Sequence, residues 1–280
     1  MLARHRQSLI LQEVRRAGSA RVSDLTQRLG VSDMTIRRDL ELLARAGLIE
    51  KVHGGAVLPG VPSSHEPGFE VKSGLERREK EAIARAAAAL VLPGTAIALS
   101  AGTTTFELAR HLREISRLTI VTNSVRAANL MEGARPPGGG TSRFAVILTG
   151  GIRTPSDALV GPIADLVIRS LHFDMLFIGC HGIDPVAGLT TPNLAESETN
   201  RAFVRSARRV TVIADHTKWG IVGLSSFADL EDVDTLITDG ELPAEARALL
   251  SDRVGELVIA DGRPGGQPAS LGHAGPGGAA

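Results

Sequence analysis

From residue 95 onward the chain repeats one pattern: a short apolar run, a polar or glycine-bearing turn, then a stretch with helical spacing. The runs lie at 95–100, 118–122, 144–148, 173–179, 210–214, 235–238 and 257–259, with helical segments reaching about Leu112, Leu130 or Met131, and spanning 162–170 and 197–207. Strands separated by helices are joined by crossovers rather than tight hairpins, and such crossovers cover a mostly parallel sheet on both faces. This pattern predicts an α/β fold for the body, residues 75–260.

The first 58 residues follow a different rule. Residues 7–14 give a helix with Leu9, Ile10 and Val14 facing inward, broken at Gly18. A second short helix opens at Val22-Ser23-Asp24, with Ser23 as its expected cap, and points Leu25 and Leu29 at the same core. Gly30-Val31 breaks the pattern again. Ser32 can then accept from the free N–H groups of a third helix, whose buried stripe is Ile36, Leu40, Leu43 and Ala44. That leaves Thr35, Arg37, Arg38 and Glu41 outward, with Asp39 expected beside them as a moderating charge. Residues 48–52 alternate and meet His53-Gly54-Gly55, which predicts a hairpin wing whose Lys51 and His53 reach phosphate or the minor groove.

Two helices joined by a short glycine-containing turn, then a basic helix and a wing, describe a winged helix-turn-helix. A helix fits the major groove, and an arginine fork can chelate a guanine edge or a phosphate. Charge agrees: residues 1–60 hold ten Lys/Arg against six Asp/Glu, so the zero net charge of the chain hides a basic head on an acidic body. Ser32, Thr35, Arg37, Arg38, Lys51 and His53 are the expected DNA contacts. A chain with no Tyr, seven Phe and one Trp offers few surfaces for base stacking, so duplex operator DNA is preferred over single strands or RNA.

The single cysteine, Cys180, excludes an intrachain disulfide and suits a reducing cytoplasm. No run has the length of a membrane span, and no signal peptide is expected ahead of Arg4 and Arg6. Residues 59–74, rich in Pro, Gly and Ser, are expected to be a linker that Phe69 anchors to the body; residues 75–92 are expected to form one helix with Ile83 and Ala87 inward. Residues 261–280 are dominated by small residues, Gly and Pro and are expected to be disordered.

In an open parallel sheet, ligands sit beyond the carboxyl ends of the strands. Ser100 to Thr104, Asn123-Ser124, Gly150-Gly151, His181-Gly182 and Asp215 to Lys218 all fall there. Small residues let backbone N–H groups approach an anion, and hydroxyls at a helix start add donors. The expected effector-binding residues are therefore Ser100, Gly102, Thr103, Thr104, Asn123, Ser124, Gly151, Arg201, Asp215 and Lys218, with Lys218 and Arg201 supplying positive charge to a phosphorylated small molecule. Neither a metal nor a cofactor is indicated, because the His and Asp spacings match no ligand set.

Val31-Ser32, Thr35-Ile36-Arg37-Arg38-Asp39-Leu40, Leu43, Gly47-Leu48 and Val52-His53-Gly54-Gly55-Ala56 closely resemble the DeoR family of bacterial transcriptional regulators. Further along, Lys80, Gly102-Thr103-Thr104, Thr122-Asn123-Ser124, Gly150-Gly151, Asp215, Lys218 and Thr238-Asp239 are similar to that family's sensor domain. The resemblance implies a body with the fold of sugar-phosphate isomerases and CoA transferases. It also implies Arg37 and Arg38 on operator DNA, a homo-oligomer (dimer or tetramer), and repression of a carbohydrate operon relieved by a phosphorylated sugar or related metabolite. Ser100 stands where many members carry Asp, and Asn200 where many carry Lys, which changes the charges available to the pocket. The competing reading is a sugar-phosphate isomerase or deaminase-like enzyme with a DNA-binding head, with Asp215, Glu198 and His181 as the candidate bases.

Overall fold

The computed structural model describes residues 3–17, 19–46, 48–52, 54–57, 68–133, 144–260 and 269–271, and the chain divides into two compact units, Met1–Pro67 and Gly68–Ala280. In the head, α1 (Ala3–Ala17), α2 (Val22–Leu29) and α3 (Asp33–Arg45) enclose Ile10, Val14, Leu25, Ile36, Leu40 and Ile49. Beside them lie β1 (Ser19–Arg21), β2 (Glu50–Val52) and β3 (Gly55–Val57), an antiparallel sheet in the order β1-β3-β2. The expected wing is the β2–β3 hairpin. The first strand is one that three polar and small residues did not signal; it pairs Ala20 with Ala56 and Arg21 with Gly55. Gly55 is required by that pairing, since a Cβ there would lie 2.4 Å from the Ala20 carbonyl oxygen.

The body begins with α4 (Phe69–Ser73) and α5 (Arg77–Ala88), followed by β4 (Ala96–Leu99), α6 (Thr103–Leu112), β5 (Leu118–Thr122), α7 (Val125–Glu132) and β6 (Phe144–Leu148). A small hairpin, β7 (Ile152–Arg153) with β8 (Leu159–Val160), leads to α8 (Pro162–Arg169) and β9 (Met175–Ile178). Then come β10 (Gly182–Asp184), β11 (Gly188–Thr191), α9 (Leu194–Ser206), β12 (Val210–Ile213), β13 (Ser225–Ala228), β14 (Thr235–Asp239), α10 (Ala244–Arg253), β15 (Glu256–Ala260) and β16 (Ala269–Leu271). The main sheet runs β16-β15-β14-β12-β9-β4-β5-β6, parallel except for β16; β10, β11 and β13 form a separate antiparallel sheet.

Side chains alternate across the central strands. Leu176, Ile178 and Val212 enter one core with Phe203, Ile168 and Leu250 from α9, α8 and α10, while Phe177 and Ile213 enter the other with Ile83, Leu108 and Met131 from α5, α6 and α7. Two apolar layers on one sheet are what the near-continuous apolar strands required.

Several expectations are revised. The helix expected over 75–92 is α5, Arg77–Ala88, and the linker expected over 59–74 is shorter, because Phe69–Ser73 already form α4 in the body unit. Phe69 is buried there, edge-on to Phe106 at 5.7 Å between ring centroids. Ser23 does not cap α2: the helix starts two residues earlier than such a cap would place it, Arg21 is its N-cap, and the Ser23 hydroxyl donates to Asp24 instead. The segment 261–280 contributes β16, antiparallel to β15, while its residues 261–268 and 272–280 lie outside the described residues.

Candidate DNA interface and effector site

Helix α3 is built as its sequence suggests. The Ser32 hydroxyl accepts from the Thr35 N–H at 3.4 Å, and its oxygen lies 2.8 Å from the Thr35 hydroxyl. Ile36, Leu40 and Leu43 face the core, while Arg37 and Arg38 are exposed. Arg37 pairs with Asp33 one turn back at 2.9 Å, both side chains more than half exposed. Lys51 on the wing pairs with Glu41 on α3 at 3.1 Å, and this contact holds the Glu41 carboxyl below the usual range. Wing and helix therefore present one continuous surface. His53, the remaining expected contact, lies outside the described residues.

Asp39 corrects the sequence reading. It is buried, not part of the outer surface: Arg6 of α1 bonds one carboxylate oxygen and the Gln7 amide donates to the other at 2.9 Å. It occupies the inner stripe with Ile36, Leu40 and Leu43, and its charge clamps α1 onto α3.

In the body, the carboxyl ends of β12, β9, β4, β5 and β6 stand side by side in the sheet order. At about 4.8 Å per strand the row spans roughly 19 Å. Most polar groups there hold the loops in place. The Ser100 hydroxyl accepts from the Gly179 N–H at 3.2 Å, joining the ends of β4 and β9. Asn123 accepts from the Ala101 N–H at 2.7 Å and donates to the Leu159 carbonyl at 3.1 Å, joining β4 and β8 to β5. Ser124 caps α7 through the Ala127 N–H. Gly102 precedes α6, whose first residues Thr103 and Thr104 are buried. Gly151, at φ 118, packs so close to β8 that a Cβ would lie 2.6 Å from the Val160 carbonyl oxygen.

The charged groups separate into two sets. Arg201 stitches α9 to β13, pairing with Glu198 and donating to the Ser226 carbonyl and to the Ser225 hydroxyl at 3.4 Å. These contacts tie it to the antiparallel sheet. Asp215 and Lys218 flank the turn after β12, where the buried Asp215 carboxylate accepts from the Thr217 N–H at 3.1 Å. Between them His216 turns to Asp239, with Nδ1 at 2.8 Å from a carboxylate oxygen. Burial alone would raise the Asp239 pKa, yet the His216 contacts hold it below the usual carboxylate range.

The residue that sequence periodicity underrated is Lys80. Only 4 % exposed on α5, it donates from Nζ to the Lys72 and Leu75 carbonyls, both at 2.6 Å. Burial lowers its pKa to about 8, opposed by the nearby Asp215 carboxylate and reinforced by Lys218. Cys180 feels the same two groups. The residue is half-buried, but its thiol is enclosed, and burial pushes it up to about 12. Such a thiol is an inert packing group at neutral pH. Its position on the inner stripe of α5 was the available signal for Lys80: it stands with Ile83, Ala84 and Ala87 at helical spacing.

Among the described residues no group of three or more His, Cys, Asp or Glu is arranged to hold a metal ion, and no helix is long and apolar enough to cross a membrane.

Comparison with known proteins covers both units. Residues 6–60 match the family model of the DeoR-like helix-turn-helix domain, and residues 75–240 that of the DeoR C terminal sensor domain. The HTH-type transcriptional regulator GlpR of Haloferax volcanii is 38% identical over 88% of this chain and 94% of its own length. The glycerol-3-phosphate regulon repressor of Escherichia coli strain K12 is 31% identical over 89% of this chain and 96% of its own. Among solved structures, ribose 5-phosphate isomerase A from Methanocaldococcus jannaschii aligns at TM-score 0.36 and 16% identity, over 50% of this chain and 53% of that one, a likeness too distant to bear on activity.

Proposed function

The chain belongs to the DeoR family of transcriptional regulators, and on that footing we propose that it is a repressor of a carbohydrate-linked operon, relieved by a phosphorylated metabolite. It is a DNA-binding regulator. In the proposed interface Ser32 and Thr35 set the start of α3, Arg37 and Arg38 reach base edges or phosphates, and Lys51 with His53 extend the contact through the wing. Two heads of a cytoplasmic homo-oligomer, dimer or tetramer, would occupy half-sites about one helical turn or a multiple apart.

The effector half of the proposal rests on one observation: Asp215, Lys218 and the buried Lys80 share one electrostatic neighbourhood. Gly102, Thr103, Thr104 and Gly151 bring small residues, hydroxyls and backbone N–H groups along the same sheet edge, while Ser100, Asn123 and Ser124 hold the loops that carry them. An anion that binds one arrangement of the protein better than another shifts the population between DNA-competent and incompetent states. A tenfold change in operator affinity needs only about 1.4 kcal/mol of such preference. A relative described as a glycerol-3-phosphate regulon repressor favours this effector class.

The test is operator binding with and without a panel of phosphorylated sugars and polyols. At least one should weaken binding tenfold or more, and Lys218→Ala should keep operator affinity while blunting that response. A panel without any effect would overturn the effector reading; catalytic turnover of a panel member, abolished by Asp215→Ala, would replace regulation with enzyme chemistry.

A further inference from the structure

A cavity of about 220 Å³ opens between α4 and the starts of α6 and α7, lined in part by Phe69, Glu70, Lys80, Thr103, Phe106 and Arg126. Thr103 belongs to the candidate effector loop, so the cavity adjoins it. Arg126 lines the cavity together with the cations Arg77 and Lys80. Its Nε bonds the carboxylate of Asp157 at 2.5 Å, and the second oxygen of Asp157 takes Arg153 at 2.6 Å. Asp157 is nearly buried, which fixes the inner edge of the guanidinium. The plane lies 4.3 Å over the Phe69 ring, and the outer edge pairs with Glu70 of α4 at 2.7 Å.

The two sides of Arg126 differ in how readily they exchange. Asp157 accepts from two arginines in a buried turn, a well-anchored arrangement. Glu70 is 76% exposed, and ion pairs of that kind are weak and easily replaced. The other acidic residue of the wall, Glu107, already faces Arg110 at 3.3 Å on its own helix. Helix α4 is therefore held at one end by Phe69 and the Glu70–Arg126 pair, and at the other by Lys80 donating to the carbonyls of Lys72 and Leu75.

We propose that this cavity receives the anionic group of a small metabolite, a phosphate or a carboxylate, with Arg126 as its receiver, and that entry exchanges Glu70 off Arg126 and loosens α4. That helix is the first element of the body unit, following residues 58–67 in the chain. The inference rests on the effector reading above and adds to it a receiver and a moving part.

The experiment uses the full chain and inorganic phosphate as the probe, with affinity measured by calorimetry and backbone amide exchange followed across Phe69–Ser73. Glu70→Gln removes the competitor and should tighten phosphate binding about two- to fivefold; Arg126→Gln should weaken it by about tenfold or more. In the wild type, phosphate should speed amide exchange across α4. Absent phosphate binding, equal or weaker binding by Glu70→Gln, or α4 amides indifferent to phosphate would each overturn the proposal. The same preparations are then tested for operator release by the sugar-phosphate panel. Release with no Glu70 effect overturns the exchange and leaves the regulator reading standing, whereas the Glu70 and Arg126 pattern without any release supports the cavity and removes the effector role.

Discussion

On α3, Arg37 and Arg38 project into solvent from a helix whose other face is locked in a core; in the body, Arg126 and Arg201 are both engaged by carboxylates and carbonyls of their own chain. The head shows Arg37, Arg38 and Lys51 to solvent, with Arg37 and Lys51 held only by exposed carboxylates of the same surface. Arg126 and Arg201 are tied to other segments of the body, so a ligand at either must exchange one partner for another. A DNA-reading surface gains by being ready before its target arrives, because the phosphate attraction is long-ranged and little reorganisation remains to be done. A sensing site gains by competition, because only an interaction that differs between two states can shift their balance.

The comparison breaks most visibly if the head is not rigid. Asp39→Ala leaves Arg6 without its buried carboxylate, and removing one partner of a buried pair costs about 3 to 5 kcal/mol. Denaturant unfolding should show a loss of that size confined to the head transition; a change under about 1 kcal/mol would mean the clamp on α1 does little.

Next in size is a pH effect in the body. The folded pKa of Lys80 is about 8, below its ordinary 10.5, so between these values the unfolded chain binds more protons than the folded one. Stability therefore rises with pH across that window, by up to about 3 kcal/mol for this group. Measured against Lys80→Met, which cannot titrate, the wild type should gain relative stability from pH 8 to 10.5. A flat difference would remove Lys80 from the buried cations.

A smaller effect sharpens the contrast within the head itself. Arg38→Ala should weaken operator binding by about 1 to 3 kcal/mol without lowering Tm. Arg37→Ala should cost less, since Arg37 already spends part of its interaction on Asp33. Wild-type binding by both variants would detach α3 from the operator, and a larger loss at Arg37 would show that the Asp33 pair aims the guanidinium instead of competing for it.

The difference between the two regions also explains what could be read from residues alone. The proposed DNA-reading surface is a contiguous stretch of helix and hairpin, so cap, stripe and outer face follow from local spacing, and Ser32, Ile36, Arg37 and Arg38 lie where that spacing puts them. The proposed body site draws on the ends of four strands, β4, β5, β6 and β12. Sequence can mark the ends as polar, but it does not say that Asn123 and Ser100 spend their hydrogen bonds on neighbouring loops, or that Arg201 turns to β13. Short strands such as β1, β7 and β8 carry too few residues for a pattern and exist only because a partner strand lies beside them. Asp39 and Lys80 teach the more useful lesson. Each is a charged residue standing on an apolar helical stripe, and in each case the structure supplies a partner from another segment, Arg6 for one and the Lys72 and Leu75 carbonyls for the other. Treating such a residue as a surface charge discards the signal.

The close approach of Gly55 to the Ala20 carbonyl ties the wing into a sheet whose third strand descends directly from α1. A wing fastened in this way presents its strands to a groove as part of a paired sheet. New operator preferences in a head of this build would then arise by exchange of exposed side chains along α3, one position at a time, on a frame that stays constant.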